Sequence, residues 1–222
     1  MLAYVSLWSA DLLAVGDAVR LIEDDADGLH IDVFDGHNVR DLLFGPDFVA
    51  ALRAHTDALL DVHLNVDDPD YWARRFIDVG ADMITVQPSA YPDVRASLRR
   101  IARAGARPAL GLEVDDPTEL AEGLIEDVDR VLLMGTELGV KGVGLDPRTA
   151  SRVRRLRAAR DRSARRPEIV VDGGIRRHTV PELAAAGADG VVPGSLVFGD
   201  ADPRAALRWL HALRGHPETQ AR

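Results

Sequence analysis

The chain has no cysteine. Disulfides, thiolate catalysis and cysteine zinc sites are therefore excluded, and any metal must be held by His, Asp or Glu. Aromatic residues are only 5% of the total, which argues against the exposed rings on which nucleic-acid bases stack. Basic residues number 27 against 36 acidic ones, for a formal net charge of −9. Such a field repels phosphate backbones, and a small anionic ligand needs a local cradle to overcome it. No apolar run approaches the roughly 18 residues of a membrane span. Residues 1–13 carry no basic segment ahead of their apolar run and do not read as a signal peptide. The expectations are no nucleic acid, no membrane and a cytoplasmic setting.

What is present is an alternation. Short apolar runs predict strands over Ala3–Leu7, Leu29–Val33, Leu59–His63, Met83–Val86, Ala109–Leu112, Arg130–Met134, Glu168–Val171 and Gly190–Val192. Longer amphipathic stretches between them predict helices, among them Tyr71–Val79, Val94–Ala104, Pro117–Leu124, Ala150–Arg162 and Val180–Ala186, with Pro203–Leu213 after the last strand. Eight strands separated by helices in 222 residues imply parallel pairing with crossovers, hence an α/β chain folded as one (β/α)8 (TIM) barrel over residues 1–214. Three helix-to-strand joins repeat a Gly at the helix end: Gly80, Gly105 and Gly187. The rival, a doubly wound open sheet, lacks a GxGxxG after its first strand. Residues 215–222 read as a polar tail.

In such barrels the reactive groups stand at the carboxyl ends of the strands. The second strand runs into His30-Ile31-Asp32, so His30 and Asp32 share one face and point into the mouth. The third ends Asp61-Val62-His63 and the seventh ends Val171-Asp172. Polar groups aimed into a barrel are costly unless paired. Two imidazoles and two carboxylates from three strands suit a divalent cation, so His30, Asp32, His63 and Asp172 are the expected metal ligands. The bland alternative is a His–Asp hydrogen-bond network. Asp35, His37 and Asp61 are candidates for orienting the ligands, and Trp8 for walling the pocket. His55, His178, His211 and His216, and the arginines within 152–166, read as solvated.

A phosphate position is legible as well. Gly173 and Gly174 follow strand seven, and Gly194 and Ser195 follow strand eight at the start of a short helix. Glycines there let backbone N–H groups approach an anion, and consecutive placement after these two strands matches the usual phosphate site of barrels.

Taken together, Ser6-Leu7-Trp8-Ser9-Ala10-Asp11, the HxDxxDGH block from His30 to His37, Asp61-Val62-His63-Leu64, Val171-Asp172-Gly173-Gly174 and the run Gly194 to Gly199 resemble the ribulose-phosphate 3-epimerase family, from about Val5 to Leu213. The resemblance implies a barrel of the ribulose-phosphate-binding type and a homo-oligomer. It implies one divalent metal, zinc first with iron, manganese or cobalt as alternatives, on His30, Asp32, His63 and Asp172. It makes Asp32 and Asp172 the proton-transferring pair, Ser6 a substrate contact, and Gly173, Gly174, Gly194 and Ser195 the phosphate cradle. The chain departs from the pattern around the sugar. The loop after strand six reads Glu137-Leu138-Gly139-Val140-Lys141-Gly142-Val143 instead of a glycine-rich one, with Lys141 where a glycine is usual. Asn65 and Phe34 replace methionines, and Val86-Gln87-Pro88 stands where a histidine is common. Lys141, with Gly142 beside it, is expected to reach the substrate's phosphate or another anionic group.

The expected reaction is 3-epimerisation of a ketose phosphate. Inverting a carbon beside a ketone means removing a proton from one face and returning it to the other, with the enediolate stabilised by a Lewis acid and two carboxylates alternating as base and acid. Isomerisation or decarboxylation of another sugar phosphate through a similar enediolate is the alternative, and a non-catalytic sugar-phosphate sensor is a third reading.

Overall fold

The computed structural model describes residues 1–90 and 93–213; the anticipated tail, with His216, lies outside the described residues. Its strands are β1 (Leu2–Ser6), β2 (Gly28–Asp35), β3 (Leu42–Leu43), β4 (Leu60–Asn65), β5 (Met83–Val86), β6 (Arg107–Leu112), β7 (Arg130–Met134), β8 (Glu168–Asp172) and β9 (Gly190–Val192). All but β3 pair parallel to their neighbours, and β1 pairs with both β2 and β9. Eight parallel strands thus close into a barrel. Around it run α1 (Val15–Ile22), α2 (Pro46–Arg53), α3 (Pro69–Asp78), α4 (Val94–Arg103), α5 (Glu119–Glu122), α6 (Thr149–Arg160), α7 (Val180–Ala186), α8 (Ser195–Phe198) and α9 (Pro203–Ala212).

The strands alternate between two cores because successive side chains point to opposite faces. Val5, Ile31, Val62, Ile84, Leu110, Val131 and Ile169 are fully buried in the shell between sheet and helices. Tyr4, Leu132, Met134, Val170 and Val192 fill a smaller core inside the barrel. Each fully buried Leu, Ile or Val contributes about 1.5–3 kcal/mol of transfer free energy, so the outer shell carries most of the stability. The polar residues of the inner face are free to serve chemistry.

The eight expected barrel strands are all present, each within two residues of its expected ends. Gly80, Gly105 and Gly187 have φ of 106°, 98° and 100°, the left-handed helix-end conformation their positions suggested. Two differences concern the rim. β2 runs on to Asp35 and pairs antiparallel with β3, which two residues are too short to announce in sequence. The helix expected over Pro117–Leu124 contracts to α5, a single turn.

Candidate active site

Register brings the chemistry together. Asp32 lies beside His63 and His30 beside Asp61 in the β2–β4 ladder, so four polar side chains from two adjacent strands enter the barrel at neighbouring levels. Asp172 closes the group from β8. His30 Nε2 lies 3.3 Å from Asp32 Oδ1 and 3.7 Å from Asp172 Oδ2. His63 Nδ1 is 3.3 Å from the same Asp32 oxygen. One donor atom from each of His30, Asp32, His63 and Asp172 falls within 4.8 Å of the other three. Two nitrogens and two carboxylates at that spacing form a donor set that fits a divalent cation. Ser6 Oγ donates to Asp32 Oδ2 at 3.4 Å.

Beneath this layer lies a buried ionic network that the sequence reading did not assemble. His30 Nδ1 is 2.9 Å from Asp61 Oδ2, which also accepts from Arg130 Nη1 at 2.6 Å. Thr85 Oγ1 donates to the other Asp61 oxygen at 3.3 Å. Arg130 Nη2 and the Tyr4 hydroxyl both donate to Glu168 Oε2, at 2.8 and 2.9 Å. The guanidinium lies 3.6 Å from the centre of the Tyr4 ring. Asp61, Arg130 and His30 are all fully buried. Asp61 therefore orients His30: it accepts a hydrogen bond from Nδ1–H and leaves Nε2 to the cluster.

The two mouth carboxylates differ electrostatically. Burial pushes the Asp172 carboxyl up to about 6; His30 opposes this, and the charges on Asp32 and Asp61 add to it. Burial acts the same way on Asp32, but His30 and His63 outweigh it and hold that carboxyl far below the usual range. His30 is raised well above its ordinary 6.5 although burial opposes its charge, because Asp32 and Asp61 flank it. At Asp61, Arg130 and His30 overcome burial and hold the carboxyl at about 2.

One cleft at the carboxyl ends of the strands is lined by Asp32, Asp172 and all seven residues expected to touch substrate: Ser6, Lys141, Gly142, Gly173, Gly174, Gly194 and Ser195. Gly173 and Gly174 have φ of 89° and 70°. A Cβ on Gly173 would lie 2.2 Å from Thr136 Oγ1, and one on Gly174 2.6 Å from the Leu145 backbone, so this turn admits only glycine. Trp8 walls the cleft as expected and meets Phe34 edge-on, with ring centres 5.2 Å apart. Lys141 is exposed, but its charge is engaged. Its Nζ donates to the Trp8 carbonyl at 2.7 Å and lies 3.7 Å from the centre of the Trp8 ring, which holds the loop after β7 against the loop after β1. Burial lowers its pKa.

Other expectations fare differently. Asp35 and His37 do not approach the ligands. Asp35 accepts from the Asp67 and His37 backbone N–H groups and stiffens the rim. His211 is not simply solvated, since its Nε2 is 2.9 Å from Asp27 Oδ2. The arginines of α6 are more engaged than a solvated face: Arg152 donates to the carbonyls of Glu113 and Asp116, and Arg160 pairs with Asp189. Arg176, missed in sequence, also lines the cleft; its place two residues after Gly174 was the available signal.

A closed parallel barrel whose titratable groups converge at the carboxyl ends of its strands has the layout of a barrel enzyme. The chain belongs to the ribulose-phosphate 3-epimerase family, whose sequence model matches residues 3–198, and it is an isomerase of the epimerase class. It is 33% identical to the ribulose-phosphate 3-epimerase of Bacillus subtilis over 204 residues, covering 91% of this chain and 94% of that one. Identity to the Rhodobacter capsulatus enzyme of the same name is 38% over 195 residues, covering 87% and 84%. Among solved structures, KGPDC from Streptococcus mutans superposes with a TM-score of 0.71 at 18% identity over 96% of both chains, a likeness of fold.

Proposed function

We propose that the protein epimerises a ketose phosphate at C3, with ribulose 5-phosphate and xylulose 5-phosphate as the first pair to test, and that it uses a divalent ion held by His30, Asp32, His63 and Asp172. The observation that carries this reading is the convergence of those four donors within 4.8 Å, with Asp32 and Asp172 lining the same cleft as the Gly173–Gly174 turn. When bound, the ion supplies Lewis-acid stabilisation of the negative charge that develops on the substrate's oxygens. Asp32 and Asp172 stand on β2 and β8 and line the same cleft, so they can exchange a proton with opposite faces of one carbon. One carboxylate takes a proton while the other gives one. Gly173, Gly174, Gly194 and Ser195 offer backbone donors to the phosphate, and Ser6 binds beside Asp32. Trp8, Phe34 and the loop carrying Lys141 exclude water.

The test combines metal analysis with product analysis on a ketose-phosphate panel. His63→Ala is expected to lose bound metal and activity together, and full metal occupancy in that variant would refute the ligand assignment. Products other than the C3 epimer would move the activity to another enediolate reaction.

Lys141 is assigned to the substrate's phosphate or another anionic group, which it reaches by leaving Trp8. Its contact with the ring is worth only about 0.5–1 kcal/mol at an exposed site, little to give up for a charge-assisted bond. Lys141→Ala is expected to raise KM more than it lowers kcat, because phosphate binding is nearly the same in ground and transition states. The effect should shrink at high salt. An unchanged KM across the panel would remove Lys141 from the site.

A further inference from the structure

His30 and His63 are both placed as ligands, yet their far nitrogens meet different partners. His30 has the Asp61 carboxylate, an acceptor only. His63 turns Nδ1 toward Asp32 and Nε2 toward Gln87, whose Nε2 lies 2.8 Å away. In that arrangement the Gln87 amide donates to His63 Nε2, so the imidazole proton sits on Nδ1 and faces Asp32. A ligand nitrogen must present a lone pair. For Nδ1 to serve the cluster, the proton has to move to Nε2, where it then faces another donor.

Gln87 holds the remedy. It is 2% exposed, and its Oε1 is a buried atom with no hydrogen-bond partner among the described residues. Burying such an oxygen unpaired costs about 1–3 kcal/mol, so its presence calls for a use. A half-turn of the amide brings Oε1 to His63 Nε2 with almost no change of shape. The rotated NH2 then needs an acceptor. Asn65, one step past the paired Leu64 and Val86 of β4 and β5, carries a second buried amide oxygen without a partner. Gly111 on β6 makes the room, since a Cβ there would lie 2.6 Å from Gln87 Nε2. Gln87 and Asn65, like His63, lie behind the residues that line the cleft.

We infer that Gln87 is a positioning residue for metal binding: by turning its amide it serves His63 either as donor or as acceptor, and so lets the ring exchange its Nδ1 proton for a metal bond. This rests on the metal reading above, and the test separates the two. The probes are Zn2+ alone, titrated in competition with a chromophoric chelator, and the ring 15N signals of His63, assigned by their loss in His63→Ala. In the wild type the proton is expected on Nδ1 without Zn2+ and on Nε2 with it. Gln87→Leu, which can do neither job, is expected to bind Zn2+ about 10-fold or more weakly, the usual range for losing such a partner. Gln87→Glu, an acceptor only, is expected to keep Nε2 protonated with and without Zn2+, whether or not Nδ1 also carries a proton before the ion binds, and to hold the ion at least as well as the wild type. Wild-type affinity in Gln87→Leu, or an Nε2 without a proton in Zn2+-free Gln87→Glu, would overturn the inference. The glutamate comparison stands if the leucine variant fails to fold. A wild-type protein that takes up no Zn2+ would instead overturn the metal reading, and this inference with it.

Discussion

Asp172→Asn is expected to lower turnover by about 10²-fold or more while the barrel stays folded. Asparagine has the shape of aspartate but cannot carry and release a proton. The fold should tolerate it because Asp172 ends β8 at the open rim, with 15% of its side chain exposed, and its ionic contact with His30 is long, at 3.7 Å. Burial already pushes this carboxyl toward its protonated form, so a neutral amide costs little there. The measurement is kcat on the accepted ketose phosphate, alongside thermal unfolding and bound metal per chain. Near-normal turnover would assign the proton transfer elsewhere. Loss of metal together with turnover would show that the variant tests the ligand role and not the proton role.

The largest stability effect is expected at Arg130. Arg130→Met fills a similar volume but leaves Asp61 fully buried without its principal counter-charge, and leaves Glu168 with the Tyr4 hydroxyl but without the guanidinium that also donates to it. Breaking one side of a buried ion pair costs about 3–5 kcal/mol. For a chain of this size that corresponds to roughly 10 °C in Tm. Urea or thermal unfolding checks it, and a loss below about 1 kcal/mol would show that the network contributes little net stability. The same network predicts a pH dependence. The Asp61 carboxyl lies at about 2 in the folded chain against an ordinary 3.8, so the unfolded chain binds the proton more tightly. Its stabilisation is therefore complete above pH 4 and lost as pH falls toward 2. That acid-side loss should be absent in Arg130→Met if Arg130 is its chief source.

The barrel and most of its mouth were legible in sequence because period-two alternation is a local signal. His30 and Asp32 had to share a face, and Asp172 had to stand at a strand end. Whether a strand's first residue points in or out is not local. Arg130 opens an apolar run and reads as a flank. Only its register beside Glu168 and Ala109 shows that it points into the barrel with Leu132 and Met134. Asp35 and His37 were misjudged because β2 continues past the mouth and carries Asp35 onto the rim, with His37 just beyond its end. Gln87 stood out as an unusual residue, but its meaning lies in a distance to His63 that spans two strands. The resting place of Lys141 depends on a loop with no repeating pattern.

The buried network under the mouth also bears on how such a sequence can change over time. Tyr4, His30, Asp61, Arg130 and Glu168 come from five different strands, and each is bonded to at least one of the others. A single replacement among them passes through an unstable intermediate, so these positions should be inherited as a block. Phe34, Lys141 and Arg176 line the cleft above, outside those bonds, and can be exchanged one at a time. Descendants of this barrel are therefore expected to try new sugars far more readily than new chemistries.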